Sequence, residues 1–325
     1  MLAIDLFAGV GGLGFGFKRA GFEVVGFELH GGKAKVYASN VGGAVEVDVR
    51  LASFRAFGGA RGVKVVAAGP PCRPYSKATP RFRRGPRHPE YGLDMEVARA
   101  ALELEPEAVV VEEVPSWRPG PLLAELRRLG YSAEARLIDF SEYGAPVARR
   151  RWILIAVRSL EAQGVFEELE GMKEGPPKPI DLLRGLPEEL GGFPDHRAYE
   201  VRSKLREVIP YIPPGHSLRS AYKLGLIPEG VARAAVRDPL KKHSYWLYRA
   251  PLEGLVKLVP HPRRSVMLHP VYDRMVSVRE LARLMTFPDS FTFAPLSVDE
   301  AMRGIAEAVP PKFSEKLARA LAKCL

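Results

Sequence analysis

Cysteine and the side-chain amides are what this chain of 325 residues has least of. Cys72 and Cys324 are its only cysteines and no C-x-x-C occurs, so neither a disulfide framework nor a cysteine zinc site organises the fold. The seven histidines form no H-x-x-x-H pair, which leaves a metal site without support. Asn40 is the sole asparagine and Gln163 the sole glutamine. A chain depleted in heat-labile amides and rich in Arg, Glu and Pro reads as thermophilic, although a GC-biased genome supplies part of the same bias. Apolar stretches are no longer than a strand, as in Val63–Gly69 with Lys64 inside it, so no membrane span is predicted. The N-terminus enters an apolar strand with no basic region before it, unlike a signal peptide. A reducing, cytoplasmic setting is the expectation, with no membrane partner.

What is present suits a globular protein: 46% hydrophobic and 26% charged residues, over a length that predicts two domains. The net charge of +10 is unevenly spread. Between Arg197 and Arg264 fourteen Lys or Arg face five Asp or Glu, so nearly all the excess falls in one segment. Such a segment is either a solvated face or the footprint of a polyanion.

Strands are predicted at Leu2–Phe7, Glu23–Glu28, Val63–Ala68, Ala108–Glu112 and Trp152–Val157, with helices such as Asp94–Glu103 and Pro121–Leu129 between them. This alternation implies an α/β fold with a Rossmann-like, mainly parallel sheet covered on both faces. From about 161 to 268, prolines and glycines break the pattern (GPPKP at 175–179, IPPGH at 212–216, VPHPRR at 259–264), which reads as a second, smaller irregular domain. Helical periods resume in 277–285, 297–309 and 312–325, the first two behind serines placed as N-caps.

Gly9, Gly11 and Gly14 have G-x-G-x-x-G spacing after the first strand, and Glu28 ends the second. This is half of a nucleotide-binding fold, in which Glu28 suits a ribose diol. Asp5 opposes a pyrophosphate, which needs bare amides and the positive end of a helix. It favours a ligand with an ammonium group, such as methionine joined to adenosine. A hydride-transferring dehydrogenase is the rival, and nothing after residue 60 supplies its site.

Three further stretches meet at the same sheet edge. AAGPPCRPYS (67–76) presents Cys72 after the third predicted strand. An isolated cysteine is most often a small buried hydrophobe. Here prolines fix the backbone, and Arg73 and Lys77 stand close enough in sequence to lower a thiol pKa and make a nucleophile. VVVEEVP (109–115) ends a strand in two acids, and YGAPVARRRWILIAV (143–157) leads three arginines into another, where a buried cation needs an anionic partner.

DLFAGVGG, GPPCRPYS, EEV, YGAPVARRR, SVRELARLMTFPDSF and IAEAVPP stand in the order found in cytosine-5 DNA methyltransferases, and the chain resembles that family over residues 1–158 and 269–325. The resemblance implies the S-adenosylmethionine-dependent methyltransferase fold, with S-adenosyl-L-methionine as cofactor and no metal. It implies a catalytic domain of residues 1–160 and 269–325 and a target-recognition domain of residues 161–268. The implied activity is methyl transfer to carbon 5 of cytosine in DNA, on a base flipped from its stack. By resemblance Cys72 adds to carbon 6, Glu112 pairs with ring N3 and the amino group, and Arg149 and Arg151 orient the base. The implied cofactor residues are Phe7, Ala8, Gly9, Gly11, Glu28, Asp48, Pro71 and Val309. Of these, Phe7 would lie against adenine, Glu28 on the ribose and Asp48 on the adenine amino group. In the family the loop after the cysteine closes over nucleic acid, which assigns Arg73, Ser76, Lys77, Arg81, Arg83, Arg84 and Arg87 to phosphate contacts. Tyr199, Tyr222, Tyr245 and Trp246 interleave with the basic residues of the middle segment, and most of them read as core.

Double-stranded DNA is the implied partner, with a monomeric enzyme expected and a partner restriction nuclease left open. The same chemistry on tRNA is the first alternative, because one branch of the family acts there. A catalytically silent nucleic-acid-binding relative is the second, prompted by five departures. Arg73, Glu113, Val147, Met285 and Glu307 stand where the family commonly has Gln or Asn, a pattern that reads as loss of heat-labile amides. Glu113 beside Glu112 is expected to raise the pair's pKa and keep a proton available for ring N3.

Overall fold

The computed structural model describes residues 1–58, 62–77, 79–159, 161–201, 203–236, 238–240, 246–258 and 265–325. Tyr245 and the VPHPRR stretch lie outside the described residues, as does the side chain of Trp246. The chain forms two compact units. One comprises Met1–Gly144, Arg150–Gly175 and Ala308–Leu325, the other Ala145–Arg149 and Pro176–Glu307. Residues 161–175 therefore belong with the sheet and 269–307 with the second unit, a different division from a cut at 161 and 268.

The first unit is built on seven strands: β1 (Leu2–Leu6), β2 (Glu23–Glu28), β3 (Gly43–Glu46), β4 (Val63–Ala68), β5 (Ala108–Glu113), β6 (Ser132–Asp139) and β7 (Arg150–Val157). Their order is β3-β2-β1-β4-β5-β7-β6, and β7 runs antiparallel to both its neighbours. Every residue of β1 and β5 is buried, which is why these strands read as unbroken apolar runs rather than alternating ones. From β1 the chain winds outward to β2 and β3, then returns to β4 and β5 on the other side. The winding direction reverses beside β1, so the carboxyl ends of β1 and β4 flank the crevice where such sheets bind ligands.

Helices α1 (Gly12–Arg19), α2 (Gly31–Asn40), α3 (Phe54–Gly58), α4 (Met95–Leu104), α5 (Gly120–Arg128) and α6 (Ala162–Glu170) cover the sheet. Val97, Ala101, Leu122 and Leu126 from α4 and α5 join Leu6, Val66, Val109 and Val111 in one core. Each such buried Val or Leu side chain stabilises the fold by about 1.5–3 kcal/mol before entropy is counted. The Pro311–Cys324 helix lies against α1, where a Cβ on Gly16 would collide with Ser314 and the Ser314 hydroxyl donates to Leu13 O at 2.5 Å.

The second unit carries a short parallel pair, β8 (Trp246–Arg249) and β9 (Ser265–Leu268), among brief helices. Both expected serine caps are present. Ser277 and Glu280 form a reciprocal capping box on the Val278–Leu284 helix, and Ser297 and Glu300 exchange the same bonds before Val298–Glu307. Arg279 is fully buried and donates to the carbonyls of Pro194, Pro288 and Phe291 at 3.1, 3.0 and 2.7 Å. A buried guanidinium needs its donors satisfied, so the arginine of RELARLM ties two loops to its own helix.

Candidate active site

The turn after β1 uses left-handed backbone at Phe7, Gly9 and Gly11, with φ of 57°, 58° and 99°. Glu28, half-buried at the end of β2, accepts the Gly9 N–H at its Oε2 and the His30 N–H at its Oε1, both at 2.8 Å. It thus links the glycine turn to the next strand end. Asp48, just beyond β3, caps the turn at Val49–Leu51 by accepting the Arg50 N–H at 3.0 Å. Its exposed Arg50 partner holds the carboxyl below the ordinary aspartate range. Ala8 and Val309 are buried and Pro71 is half-buried.

Gly14 has a reason unrelated to phosphate. A Cβ there would strike the Tyr37 hydroxyl, and would lie 2.7 Å from Asp5 Oδ2. Tyr37 donates to Asp5 at 3.2 Å, and burial pushes the Asp5 carboxyl up to about 8. Asp5 is therefore mostly neutral at pH 7 and, contrary to the sequence-based expectation, does little to repel a pyrophosphate. Tyr37, which completes this buried pair, carried no sequence signal beyond a lone aromatic on a helix of small residues.

Cys72 is half-buried in the turn after β4 and packs against the sheet core. Its carbonyl accepts the N–H groups of Tyr75 and Ser76 at 3.0 and 2.8 Å, which closes the turn. At the adjacent strand end Glu112 pairs with Arg151, Nε to Oε1, at 2.9 Å. A Cβ on Gly69 would lie 3.9 Å from Glu112 Oε2, so that carboxyl group faces the start of the cysteine turn. Glu112 and Glu113 adjoin on one strand and so point to opposite faces of the sheet. Glu113 faces the α4–α5 side, fully buried, with Oε2 accepting the Val114 N–H at 2.5 Å. Burial first, then the charges of Glu112 and Asp94, push its carboxyl up to about 9.

The loop beyond Cys72 is basic and largely exposed. Lys77, Arg81, Arg83 and Arg87 are exposed, and Ser76 and Arg84 are half-buried. Arg73 is 69% exposed at its side chain and paired with Glu90 at 2.5 Å. Among the middle aromatics, Tyr199 and Tyr222 are half-buried, and Tyr222 donates to Glu229 at 3.3 Å. In the second unit Arg149 is buried, and its guanidinium binds the carbonyls of Ala306 and Glu307, the latter at 2.7 Å.

The five positions at which the resemblance expects an amide hold residues suited to their surroundings. Val147 and Met285 are fully buried and apolar, Arg73 gains an ion pair, and Glu113 is buried in its neutral form. At Glu307 it is the backbone carbonyl that Arg149 uses, while the side chain is exposed. Among the described residues, no group of three or more His, Cys, Asp or Glu is arranged to hold a metal, and no helix is long and apolar enough to cross a membrane.

A doubly wound sheet that gathers a glycine turn, a thiol and an acid–arginine pair along its carboxyl edge is the layout of an α/β enzyme of the nucleotide-binding kind. Residues 1–323 match the family model for C-5 cytosine-specific DNA methylase, and the chain belongs to that family. Its methyl donor is S-adenosylmethionine. Type II methyltransferase M.AplI of Arthrospira platensis is 26% identical over 99% of this chain and 85% of its own length. Type II methyltransferase M.Eco47II of Escherichia coli is 28% identical over 96% and 76%. In fold, the chain resembles the Schizosaccharomyces pombe Dnmt2 methyltransferase, with a TM-score of 0.68 at 15% identity over 100% of this chain and 99% of that one.

Proposed function

We propose that this methyltransferase modifies carbon 5 of cytosine in double-stranded DNA through a covalent adduct of Cys72 at carbon 6. The observation that carries the reading is the Glu112 carboxyl, paired with Arg151 and turned toward the turn that presents Cys72. Cytosine carbon 5 is a poor nucleophile. Addition of the Cys72 thiolate to carbon 6 moves an electron pair toward carbon 5. Glu112, hydrogen-bonded at ring N3 and the amino group, stabilises the charge that develops, and Arg151 holds that carboxyl in place. S-adenosylmethionine, when bound, supplies an electrophilic methyl group and leaves as the thioether. A base then takes the carbon 5 proton, and the returning electron pair expels Cys72 as thiolate.

The turn at the end of β1 fits the cofactor. The Glu28 carboxyl and Asp48, just beyond β3, offer acceptors for a ribose diol and an adenine amino group, and the open face of Gly9 lets a methionine tail approach the turn. Phe7, Ala8, Pro71 and Val309 supply its apolar lining. The basic loop from Lys77 to Arg87 supplies phosphate contacts, and residues 161–268 supply target recognition. The type II names of the relatives favour DNA over tRNA and a role as the modification partner of a nuclease.

The test is transfer of labelled methyl groups to duplex DNA and to tRNA at elevated temperature, with Cys72→Ala as control. Label on DNA that vanishes in the variant, with S-adenosylhomocysteine still bound, is the expected result. Label on tRNA alone, or label that persists in Cys72→Ala, would overturn it.

A further inference from the structure

Asp94 stands at the N-cap position of α4, yet its side chain makes no capping bond. It is buried, and both its oxygens serve other partners: Oδ1 accepts the Tyr75 hydroxyl at 3.1 Å and Oδ2 accepts the Trp117 indole N–H at 2.9 Å. Tyr75 belongs to the Cys72 turn, whose closure it makes through its own N–H. Trp117 is buried in the segment that leaves β5 immediately after Glu112 and Glu113. A third bond runs between the same two segments, from the Ser116 hydroxyl to the Tyr75 carbonyl at 2.7 Å. A carboxyl that forgoes its helix to join two other segments is out of place as a cap. Donors as demanding as a buried indole N–H and a phenol explain why it is there.

We propose that Asp94 is a positioning residue: it fixes the Cys72 turn against the strand end that carries Glu112, by way of Tyr75 and Trp117. It touches no substrate. The proposal rests on the functional reading above, because the geometry it protects matters only if Cys72 and Glu112 act on one base. Loss of such a tie lets the turn drift by a fraction of an ångström or more, and misplacement by about 1 Å costs a rate on the order of 100-fold. An asparagine keeps the tie, since its oxygen accepts the indole N–H and its amide donates to the phenol oxygen. An alanine removes both bonds.

The experiment uses the full chain with Cys324→Ser, so that Cys72 is the sole thiol. Single-turnover methyl transfer to unmethylated plasmid DNA, S-adenosylhomocysteine binding and alkylation of Cys72 by iodoacetamide at pH 8 are measured for Asp94→Ala, Asp94→Asn and Tyr75→Phe. The pH stays below about 9, where Glu113 ionises, so the strand end is intact in every variant. Asp94→Ala is expected to lose roughly 10- to 100-fold in transfer rate at unchanged cofactor affinity and to alkylate several-fold faster. Tyr75→Phe is expected between it and the parent, and Asp94→Asn near the parent. A folded Asp94→Ala with parental transfer and alkylation overturns the proposal, and so does equal damage in Asp94→Asn. If Asp94→Ala does not fold, Tyr75→Phe decides, with parental values overturning the tie and a shift in both readouts supporting it. If the parent methylates no DNA, the functional reading has failed, and the alkylation series alone decides whether Asp94 holds the turn.

Discussion

Replacing Glu113 by glutamine isolates the energetic consequence of a carboxyl group held neutral inside the sheet. The ordinary pKa of 4.5 is pushed up to about 9 in the fold, by burial first and then by nearby negative charge. Between those two values the unfolded chain gives up the proton while the folded chain keeps it. The folded state therefore binds more protons, and its stability falls as pH rises from about 4.5 to about 9. Below that window both states are protonated and the group makes no difference. Each pH unit inside it is worth about 1.4 kcal/mol, so at pH 7 the native protein carries a penalty of about 3 kcal/mol from this residue. Glutamine can still accept the Val114 N–H and never ionises. Its amide nitrogen replaces an oxygen, Oε1, that has no hydrogen-bond partner among the described residues, which adds a pH-independent cost of about 1–3 kcal/mol. The diagnostic is the slope. Urea unfolding of parent and Glu113→Gln from pH 5 to pH 8 should show the variant gaining about 1.4 kcal/mol per pH unit relative to the parent. A difference that stays flat over that range would mean that Glu113 is ionised in the fold, and the account of this position would be wrong.

Other perturbations separate the parts of the site. Arg151→Ala should lower the transfer rate roughly 100-fold with little effect on S-adenosylhomocysteine binding, because it frees the Glu112 carboxyl rather than the cofactor turn; equal losses in both would contradict that division. Changing Arg81, Arg83 and Arg87 together to alanine should reduce the slope of log affinity against log salt by about 3, uniformly across DNA sequences. A sequence-dependent loss would make them readers of bases instead. Gly14→Ala should destabilise the protein by about 1–3 kcal/mol by driving a methyl group into the Tyr37 hydroxyl, and Tyr37→Phe in the same chain should recover part of that loss in thermal melts.

The central strands were legible because burial on both faces leaves an unbroken apolar run. Glu23–Glu28 and Val63–Ala68 were read with the ends they have, and Ala108–Glu113 within one residue. Strands β3 and β6, which were not read, form the two edges of the sheet, where one side of the strand has no neighbour. β6 alternates weakly, with six of its eight residues only half-buried, and β3 has four residues, none fully buried. The same reasoning applies within the site. Cys72, Glu112 and the glycine turn sit at strand ends, so topology brings them to one edge and a reading of local segments finds them. Asp94 does not, because an acid before a helix reads as an N-cap, and only the fold shows its side chain turned to Tyr75 and Trp117. The division into units was illegible for a related reason. The Val278–Leu284 helix looks regular in sequence, yet its buried Arg279 ties it to Pro194, within the irregular segment.

The five positions at which the resemblance expects an amide divide by environment. An amide side chain is useful where a buried neutral donor and acceptor are both needed. At Val147 and Met285 the surroundings take an apolar side chain, and hydrophobic burial replaces the hydrogen bonds an amide would make. At Arg73 and Glu307 the side chain is exposed, where a charge is readily solvated. Glu113 is the position that needs a neutral polar group in a buried place, and burial makes one by holding the carboxyl protonated. A protonated carboxyl is the nearest unamidated substitute for a carboxamide in shape and hydrogen bonding. The acid face with Glu112 and Arg151 is thereby left undisturbed, since Glu113 points to the opposite side of the sheet. A carboxyl at Glu113 therefore leaves the strand end that carries Glu112 intact up to the pH at which it ionises, about 9, and weakens it above.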